Sequence, residues 1–407
     1  MKILHLISQH PESTGSGYYL QNIINQAQLK GYDNLLIAGV SDENRPELPG
    51  MPPNAVHFVT FNKGQLDFSI PGMSDVMPYP SSRFSELTPE QLDRYECVFA
   101  ETITEAVQQF SPDIIHSHHL WIVSSVARKL FPRIPMVTSC HSTDLRQFIN
   151  NRHLRSRVLE PCREIDKILA LNMEQKNQIE DLFGIDGKRI HIVGGGFDRK
   201  LFTPRIKKEP PPVHIIYAGK LSFAKGVDWL LKVFRELDDK DLHLHLAGSG
   251  TGKEAQQCLE LAAKCGKHVT LHGRLNQQEL GQLMGRCHFF ILPSFYEGLP
   301  LVLLEALSTG CRVLTTNLSG CRELLEKADD DLFEFVRLPI MTQIDRPDET
   351  DRRALEHSLR KAIMRMKEKV IGSPSPDTHV LDAVTSPYGW ESVFERIECC
   401  YVKCLER

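Results

Sequence analysis

Short apolar runs recur along this chain, most of them followed by a helical stretch, and they come in two consecutive series. The first reads KILHLIS, NLLIAGV, DIIHSHH, PMVTSC, KILALN and IHIVGGG; the second reads VHIIYAG, LHLHLAG, VTLHG, HFFILPS, CRVLTTN and FEFVR. Runs of this kind suit strands buried on both faces. Their alternation with helices such as GYYLQNIINQAQLKG points to parallel sheets covered by helices. Two series predict two doubly wound α/β domains facing a cleft, with ligands at the carboxyl ends of the strands. The proline-rich, charged FTPRIKKEPPP, near residues 200–212, marks the boundary. The expected domains are 1–200 and 201–388, with a last helix in 389–407 packing back on the first. Three segments read as irregular: the Pro/Ser/Met-rich insertion 61–90, and loops at 338–352 and 372–388. Loops as long as the insertion are commonly lids or disordered.

Composition narrows the function classes. With 407 residues, 41% hydrophobic, 25% charged and a net charge of −4, the chain reads as a soluble globular protein without a nucleic-acid footprint. No apolar run is long enough to span a bilayer, and MKILHLISQH reads as a first strand rather than a signal peptide. The eleven cysteines contain no C-x-x-C pair, so neither a disulfide framework nor a zinc site is expected. A reducing cytosol is the expected setting, and Cys399, Cys400 and Cys404 read as apolar fillers of a terminal helix.

The run FYEGLPLVLLEALSTG carries the sharpest chemistry. Glu297 falls in the loop after HFFILPS, and Glu305 is expected two turns into the next helix. Eight helical residues would span roughly 12 Å, about the distance from a hexose to a ribose across a diphosphate. A helix N-terminus between two carboxylates suits phosphate. Two solvated charges would give the same letters, but Val302, Leu303, Leu304 and Leu307 imply a buried helix, on which a carboxylate needs a partner.

Other motifs sit at strand ends. Gly15-Ser16-Gly17 opens a helix but lacks the third glycine of a dinucleotide fingerprint, since Leu20 stands there; a phosphate- or acceptor-facing turn and a plain tight turn fit equally. His116, His118 and His119 follow one strand, and His141 with Ser142, Thr143 and Asp144 follows the next. Their spacing favours a histidine touching sugar hydroxyls over a metal site. Lys220 and Lys225 in YAGKLSFAKG suit a diphosphate, or are surface lysines. Gly248-Ser249-Gly250 and Gly273 offer turn backbone beside a nucleotide base. The basic run with Arg146, Arg152, Arg155 and Arg157 reads as a solvated helix face, with an anionic acceptor or membrane surface as the other reading.

Taken together, EGLPLVLLEA, the first Gly-rich turn, HSTD, GKLSFAKG and the late SGCRE loop resemble the retaining glycosyltransferases of the GT-B fold, family-4 group, over nearly the whole length. The resemblance implies that Glu297 holds a donor hexose and Glu305 a ribose. Gly298, Leu299, Leu301 and Val302 would meet the diphosphate with Lys220 and Lys225, while Pro300 has no N–H to offer. Gly219 and Gly273 would flank the donor, and Gly15 and Gly17 would border the cleft. His141, Glu297 and Lys225 would be the catalytic set, with His118, His119 and Asp144 on the acceptor side. Three positions depart from the family pattern: Lys220 for arginine, Ser142 for glycine, and Gly195-Gly196 for Asn-Gly.

The implied activity moves a hexose or N-acetylhexosamine, with retention, from a nucleotide-diphosphate sugar (UDP- ahead of GDP-) to an acceptor hydroxyl. A glycan, lipid-linked or small-molecule acceptor in polysaccharide, glycolipid or other glycoconjugate synthesis is expected. No metal or cofactor is expected. The expected place is the cytoplasm or the inner face of a membrane, with peripheral contact left open. A nucleotide-sugar epimerase or hydrolase of the same fold, and a non-catalytic nucleotide-sugar binder, are the alternatives.

Overall fold

The structure, a computed structural model, describes residues 1–41, 46, 48, 50–74, 77–341 and 346–406. Within the segments read as irregular, 75–76 and 342–345 lie outside the described residues, as does 407 in the C-terminal segment. The chain divides into two compact units, Met1–Gly195 with Trp390–Arg407, and Gly196–Gly389.

The first unit carries β1 (Lys2–Ile7), β2 (Asp33–Ser41), β3 (Val56–Phe61), the short pair β4 (Pro71–Gly72) and β5 (Ser82–Arg83), β6 (Ile114–His118), β7 (Met136–Ser139), β8 (Lys167–Ala170) and β9 (Ile190–Ile192). Its seven-stranded sheet runs β3-β2-β1-β6-β7-β8-β9, all parallel. The second unit carries β10 (Val213–Ala218), β11 (Leu242–Ala247), β12 (Val269–Gly273), β13 (Phe289–Leu292), β14 (Arg312–Thr316) and β15 (Phe333–Val336). Its six-stranded sheet runs β12-β11-β10-β13-β14-β15, again all parallel. Each sheet therefore reverses its winding once, between β1 and β6 and between β10 and β13. In doubly wound sheets a crevice opens at that reversal, outside the carboxyl ends of the strands.

The apolar runs explain the sheets. Every residue of β6, β13 and β14 is buried, as strands covered on both faces must be. The C-terminal helix Trp390–Leu405 buries Trp390, Val393, Phe394, Ile397, Cys400, Tyr401 and Cys404, spaced as one helical stripe. That stripe packs with Ile3, Tyr19, Ile23, Ile114 and Val137 of the first unit. Cys400 and Cys404 are thus fillers, Cys399 is exposed, and all eleven cysteines are free.

Three expectations are corrected. The insertion 61–90 is not a detached loop: Leu66, Ile70, Met73 and Phe84 are buried in the first unit's core, and β4 pairs with β5. Segment 372–388 contains the helix Thr378–Thr385, begun by Asp377, whose side chain accepts from the His379 amide. SGCRE is the start of a helix, Ser319–Leu325, rather than a loop. Among the described residues no helix is long and apolar enough to cross a membrane.

Candidate functional site

In the second unit the loops at the β10/β13 reversal are stitched together by backbone. The Phe295 amide donates to the Ala224 carbonyl at 2.9 Å. Gly226 lies at φ +67°, and a Cβ there would come within 2.0 Å of the Pro293 carbonyl oxygen. That close approach sets the neighbouring Lys225, whose Nζ meets Glu297 Oε1 at 2.7 Å. Gly226→Ala should therefore destabilise by roughly 3 kcal/mol or more, through clash and left-handed strain together. Gly252→Ala has equal φ strain (+77°) but open space around it, and should cost about 1 kcal/mol. Urea unfolding of the two variants compares them directly.

Beside this pair, the ends of β10, β11 and β12 form an open pocket of about 400 Å³. Gly219, Lys220, Gly248, Ser249, Arg274 and Val302 are among its walls. The strand-end turns are knitted by Gly219 N–H to Ala247 O at 3.0 Å and Gly248 N–H to Gly273 O at 2.7 Å. A Cβ on Gly248 would meet the Gly219 oxygen at 1.8 Å, so only glycine permits this floor. Lys220 and Arg274 are exposed, and among the described residues neither has an ion pair. The mouth of the pocket is therefore electropositive. Lys225 and Glu297 neutralise one another and are not among its walls. Of the two lysines expected on a diphosphate, Lys220 lines this pocket and Lys225 does not; Arg274, which sequence reading missed although it directly follows the Gly273 turn, lines it too.

Glu305 needs the second correction. Its helix is only Val302–Ser308, and Glu305 lies in the first turn rather than two turns in. Residues 297–301 are not helical, so the helical-rise estimate of the Glu297–Glu305 separation does not apply. The Leu301 amide donates to the Leu299 carbonyl at 2.9 Å, which removes it from the set expected on a diphosphate. Gly298 is fixed from outside: a Cβ on Gly320 would lie 2.1 Å from the Gly298 oxygen. Glu305 is half-buried, and burial alone pushes its carboxyl up to about 7. No hydrogen bond or ion pair of its side chain is found among the described residues.

In the first unit the β1/β6 reversal brings together the glycine turn and the histidines. Thr14 caps the helix Gly15–Leu29 by accepting from the Gly17 amide. A Cβ on Gly17 would sit 2.5 Å from the Pro11 oxygen, whereas Gly15 faces open space. Gly17 thus serves the packing of its own turn, and its N–H is already used.

Asp144, His118 and His119 were expected on the acceptor side, but they are buried at 0%, 2% and 2% exposure. Asp144 accepts from the amides of Leu120 at 2.7 Å and His141 at 3.1 Å, bracing the loop after β6 to the loop after β7. His141 is half-buried, and its Nε2 lies 3.2 Å from His118 Nδ1. Desolvation lowers His141 to about 3 and holds His116, His118 and His119 well below the usual imidazole range. These rings are neutral at pH 7. They offer hydrogen bonds and no charge.

Two residues here sit in the left-handed half of backbone space, His119 at φ +75° and Ser142 at +68°. Ser142, which stands where the family carries glycine, is held in that conformation by Gln175, whose amide donates to its hydroxyl at 2.7 Å. Such strain persists only where the surroundings fix it, and it gathers at functional sites.

Ring nitrogens of His5, His116 and His118 lie within 4.8 Å of one another. Both nitrogens of His116 already meet hydroxyls, Ser139 at 2.8 Å and Tyr401 at 2.6 Å. With both His116 nitrogens engaged, the trio does not offer three free ring nitrogens to a dication. The basic run is largely occupied as well: Arg157 pairs with Asp93 and Glu96, and Arg155 stacks on Phe148.

Residues 15–201 match the family Glycosyltransferase Family 4, and residues 198–335 match Glycosyl transferases group 1. Among solved structures, sucrose-phosphate synthase from Thermosynechococcus elongatus aligns with TM-score 0.70, at 14% identity, over 100% of this chain and 99% of that one. Anabaena HepE in complex with UDP aligns with TM-score 0.67, at 15% identity, over 99% and 100%. These likenesses establish the class of fold, GT-B. Glycogen synthase of Mycobacterium tuberculosis is 28% identical over 231 residues, 53% of this chain and 55% of that protein. A D-inositol 3-phosphate glycosyltransferase of Geodermatophilus obscurus is 27% identical over 274 residues, 59% and 60%. The matched region thus spans little more than half the length of these relatives. The chain belongs to the family-4 glycosyltransferases of the GT-B fold.

Proposed function

We propose that this chain is a retaining glycosyltransferase that takes a nucleotide-diphosphate hexose in its second unit. The observation that carries this reading is the pocket at the ends of β10–β12, whose two unneutralised cations, Lys220 and Arg274, call for an anionic ligand. Neighbouring structures of Anabaena HepE hold UDP and UDP-glucose, which supports a uridine donor ahead of a guanosine one.

In this reading Glu305 accepts the ribose hydroxyls. A buried carboxylate short of donors is relieved by a diol. Lys225 faces the leaving phosphate, and Glu297 holds Lys225 with one oxygen while the other accepts a hexose hydroxyl. The acceptor oxygen attacks the anomeric carbon on the face that the phosphate leaves, and the acceptor proton passes to the departing phosphate oxygen. Configuration is retained. The protein contributes position and fixed charge rather than a proton-transfer residue. A retaining glycosidase pair would stand about 5–5.5 Å apart with one carboxyl free to attack; Glu297 is instead committed to Lys225. Cations of the chain itself can carry the charge on the diphosphate, so metal independence is part of the proposal. A glycan or glycolipid acceptor is the class it favours.

Calorimetry with UDP- and GDP-sugars in chelator tests this. Micromolar binding of one donor that is lost in Lys220→Ala/Arg274→Ala is the expected result. Binding only after adding a divalent cation would overturn the metal-free reading. Product released without any acceptor would favour an epimerase or hydrolase.

A further inference from the structure

We propose that a second pocket of the second unit, walled by the loops that carry Lys225 and Glu297, binds a small planar aromatic ligand with a cationic head, and that this ligand acts on the Lys225–Glu297 pair. The pocket itself stands on geometry; its bearing on turnover rests on the reading of that pair as catalytic.

The cavity measures about 190 Å³ and shares no wall residue with the pocket at the ends of β10–β12. An apolar cavity of about 150 Å³ already takes up benzene. The volume here therefore fits one substituted ring, and it falls short of the roughly 300–1,000 Å³ of sites for larger ligands. The walls suit a flat ring. Trp229 and Phe295 are stacked, with centroids 5.3 Å apart and planes 21° apart. Phe223, Pro347 and Leu355 add to the apolar lining. Trp229, Phe295 and Leu355 are buried and form the floor, while Arg346 and Glu349 are exposed and form the rim.

The polar walls decide the charge of the ligand. Both guanidiniums are already taken: Arg352 by Asp228 at 2.5 Å and Glu349 at 2.9 Å, and Arg346 by Glu254 at 2.6 Å. Asp228, Asp348 and Glu349 line the pocket against Arg346 and Arg352. The nearby Glu254 and Glu356 likewise outnumber Lys232. With carboxylates in excess and aromatic faces beside them, a cation is attracted and an anion repelled. A nucleotide or sugar phosphate does not suit this pocket.

The same two loops serve both places. The loop after β10 gives Phe223 to the pocket and, two residues on, Lys225 to the ion pair. The loop after β13 gives Phe295 and, two residues on, Glu297. The Phe295 amide ties the loops together on the Ala224 carbonyl, and the Gly226 amide closes the first loop on the Phe223 carbonyl at 2.8 Å. Glu254 fastens the rim to that loop, accepting from the Phe223 amide at 3.1 Å and from Arg346. A ring seated against Phe223 and Phe295 therefore restrains both loops, and with them the geometry of Lys225 and Glu297.

Benzamidine is the probe and benzoate its anionic counterpart, both titrated by calorimetry without donor. Benzamidine should bind with a Kd on the order of 0.1–1 mM. Leu355→Phe extends a floor side chain into the cavity and should remove most of that affinity. Phe223→Ala takes away a wall from a loop rather than from a helix; it should also weaken binding, and it stands in if Leu355→Phe does not fold. Hydrogen exchange read by mass spectrometry tests the action on the pair. Benzamidine at about ten times its Kd should slow exchange in the peptides holding Phe295 and Gly226 about tenfold. The Gly248 amide, bonded to Gly273 in the other pocket, should exchange as before. No binding of benzamidine, binding indifferent to both variants, or benzoate binding that is as strong and is lost in the same variants overturns the site. Unchanged exchange at Phe295 and Gly226 overturns its action on the pair. Neither readout uses donor or acceptor, so failure to find turnover counts against the functional reading and not against the pocket.

Discussion

Glu305→Gln should make the protein more stable above neutral pH while destroying its affinity for donor. Burial raises the Glu305 carboxyl from 4.5 to about 7. A carboxyl raised by folding binds its proton more tightly in the folded state. The wild type therefore loses stability as pH climbs from about 4.5 to about 7, and the penalty is fully present beyond that. Glutamine carries no such penalty. The shift corresponds to roughly 3 kcal/mol at most, and partial exposure brings the expected gain nearer 2 kcal/mol. The advantage should vanish below about pH 4.5, which urea titrations at pH 4.5 and pH 8 would read. Donor binding moves the opposite way. If a ribose diol donates to the ionised carboxylate, wild-type affinity for a nucleotide sugar should weaken about tenfold from pH 8 to pH 6. A sugar diphosphate has no ionisation of its own in that range, which keeps the profile attributable to protein. In Glu305→Gln, binding should be weak and flat with pH. Wild-type-like binding by the glutamine variant at both pH values would remove Glu305 from the donor site.

The same residue shows where sequence reading stops. Most strands of both sheets were legible because parallel strands buried on both faces tend to be continuous apolar runs, as in FFIL of β13. The edge strand β3 was missed although the β-branched and aromatic letters of VHFVTF suit a strand, and only its last three residues are buried. Helix Thr378–Thr385 hid between Ser-Pro pairs that read as breakers. The motif glutamates were visible by spacing, yet their surroundings were not. That Glu297 would be tied to Lys225, across 72 positions, follows from the close approach of Gly226 to Pro293, a tertiary fact. Arg274 gave no signal in its own letters. It matters because the Gly248 floor brings the end of β12 beside that of β10. His118 and His119 looked like ligand contacts at a strand end. Only burial shows that they stand behind His141.

The Lys225–Glu297 pair should behave as one catalytic unit. In the proposed mechanism Lys225 faces the leaving phosphate, so Lys225→Met should lower kcat by about 10²–10³, the usual loss when one fixed charge or donor is withdrawn from a transition state. Donor affinity should fall far less, since Lys220 and Arg274 still line the pocket. Glu297→Gln keeps the shape but frees the ammonium from its 2.7 Å partner, and should lower kcat by about 10–10². The double variant should then be little worse than Lys225→Met alone, because each side chain acts through the other. Global stability should change by under about 1 kcal/mol in each case, as both groups keep some contact with water. A rate loss therefore could not be blamed on unfolding. Single-turnover rates with saturating donor supply the comparison. Fully additive losses would mean that the two residues serve separate steps, and loss of donor binding without loss of kcat would move Lys225 from the leaving phosphate to the nucleotide.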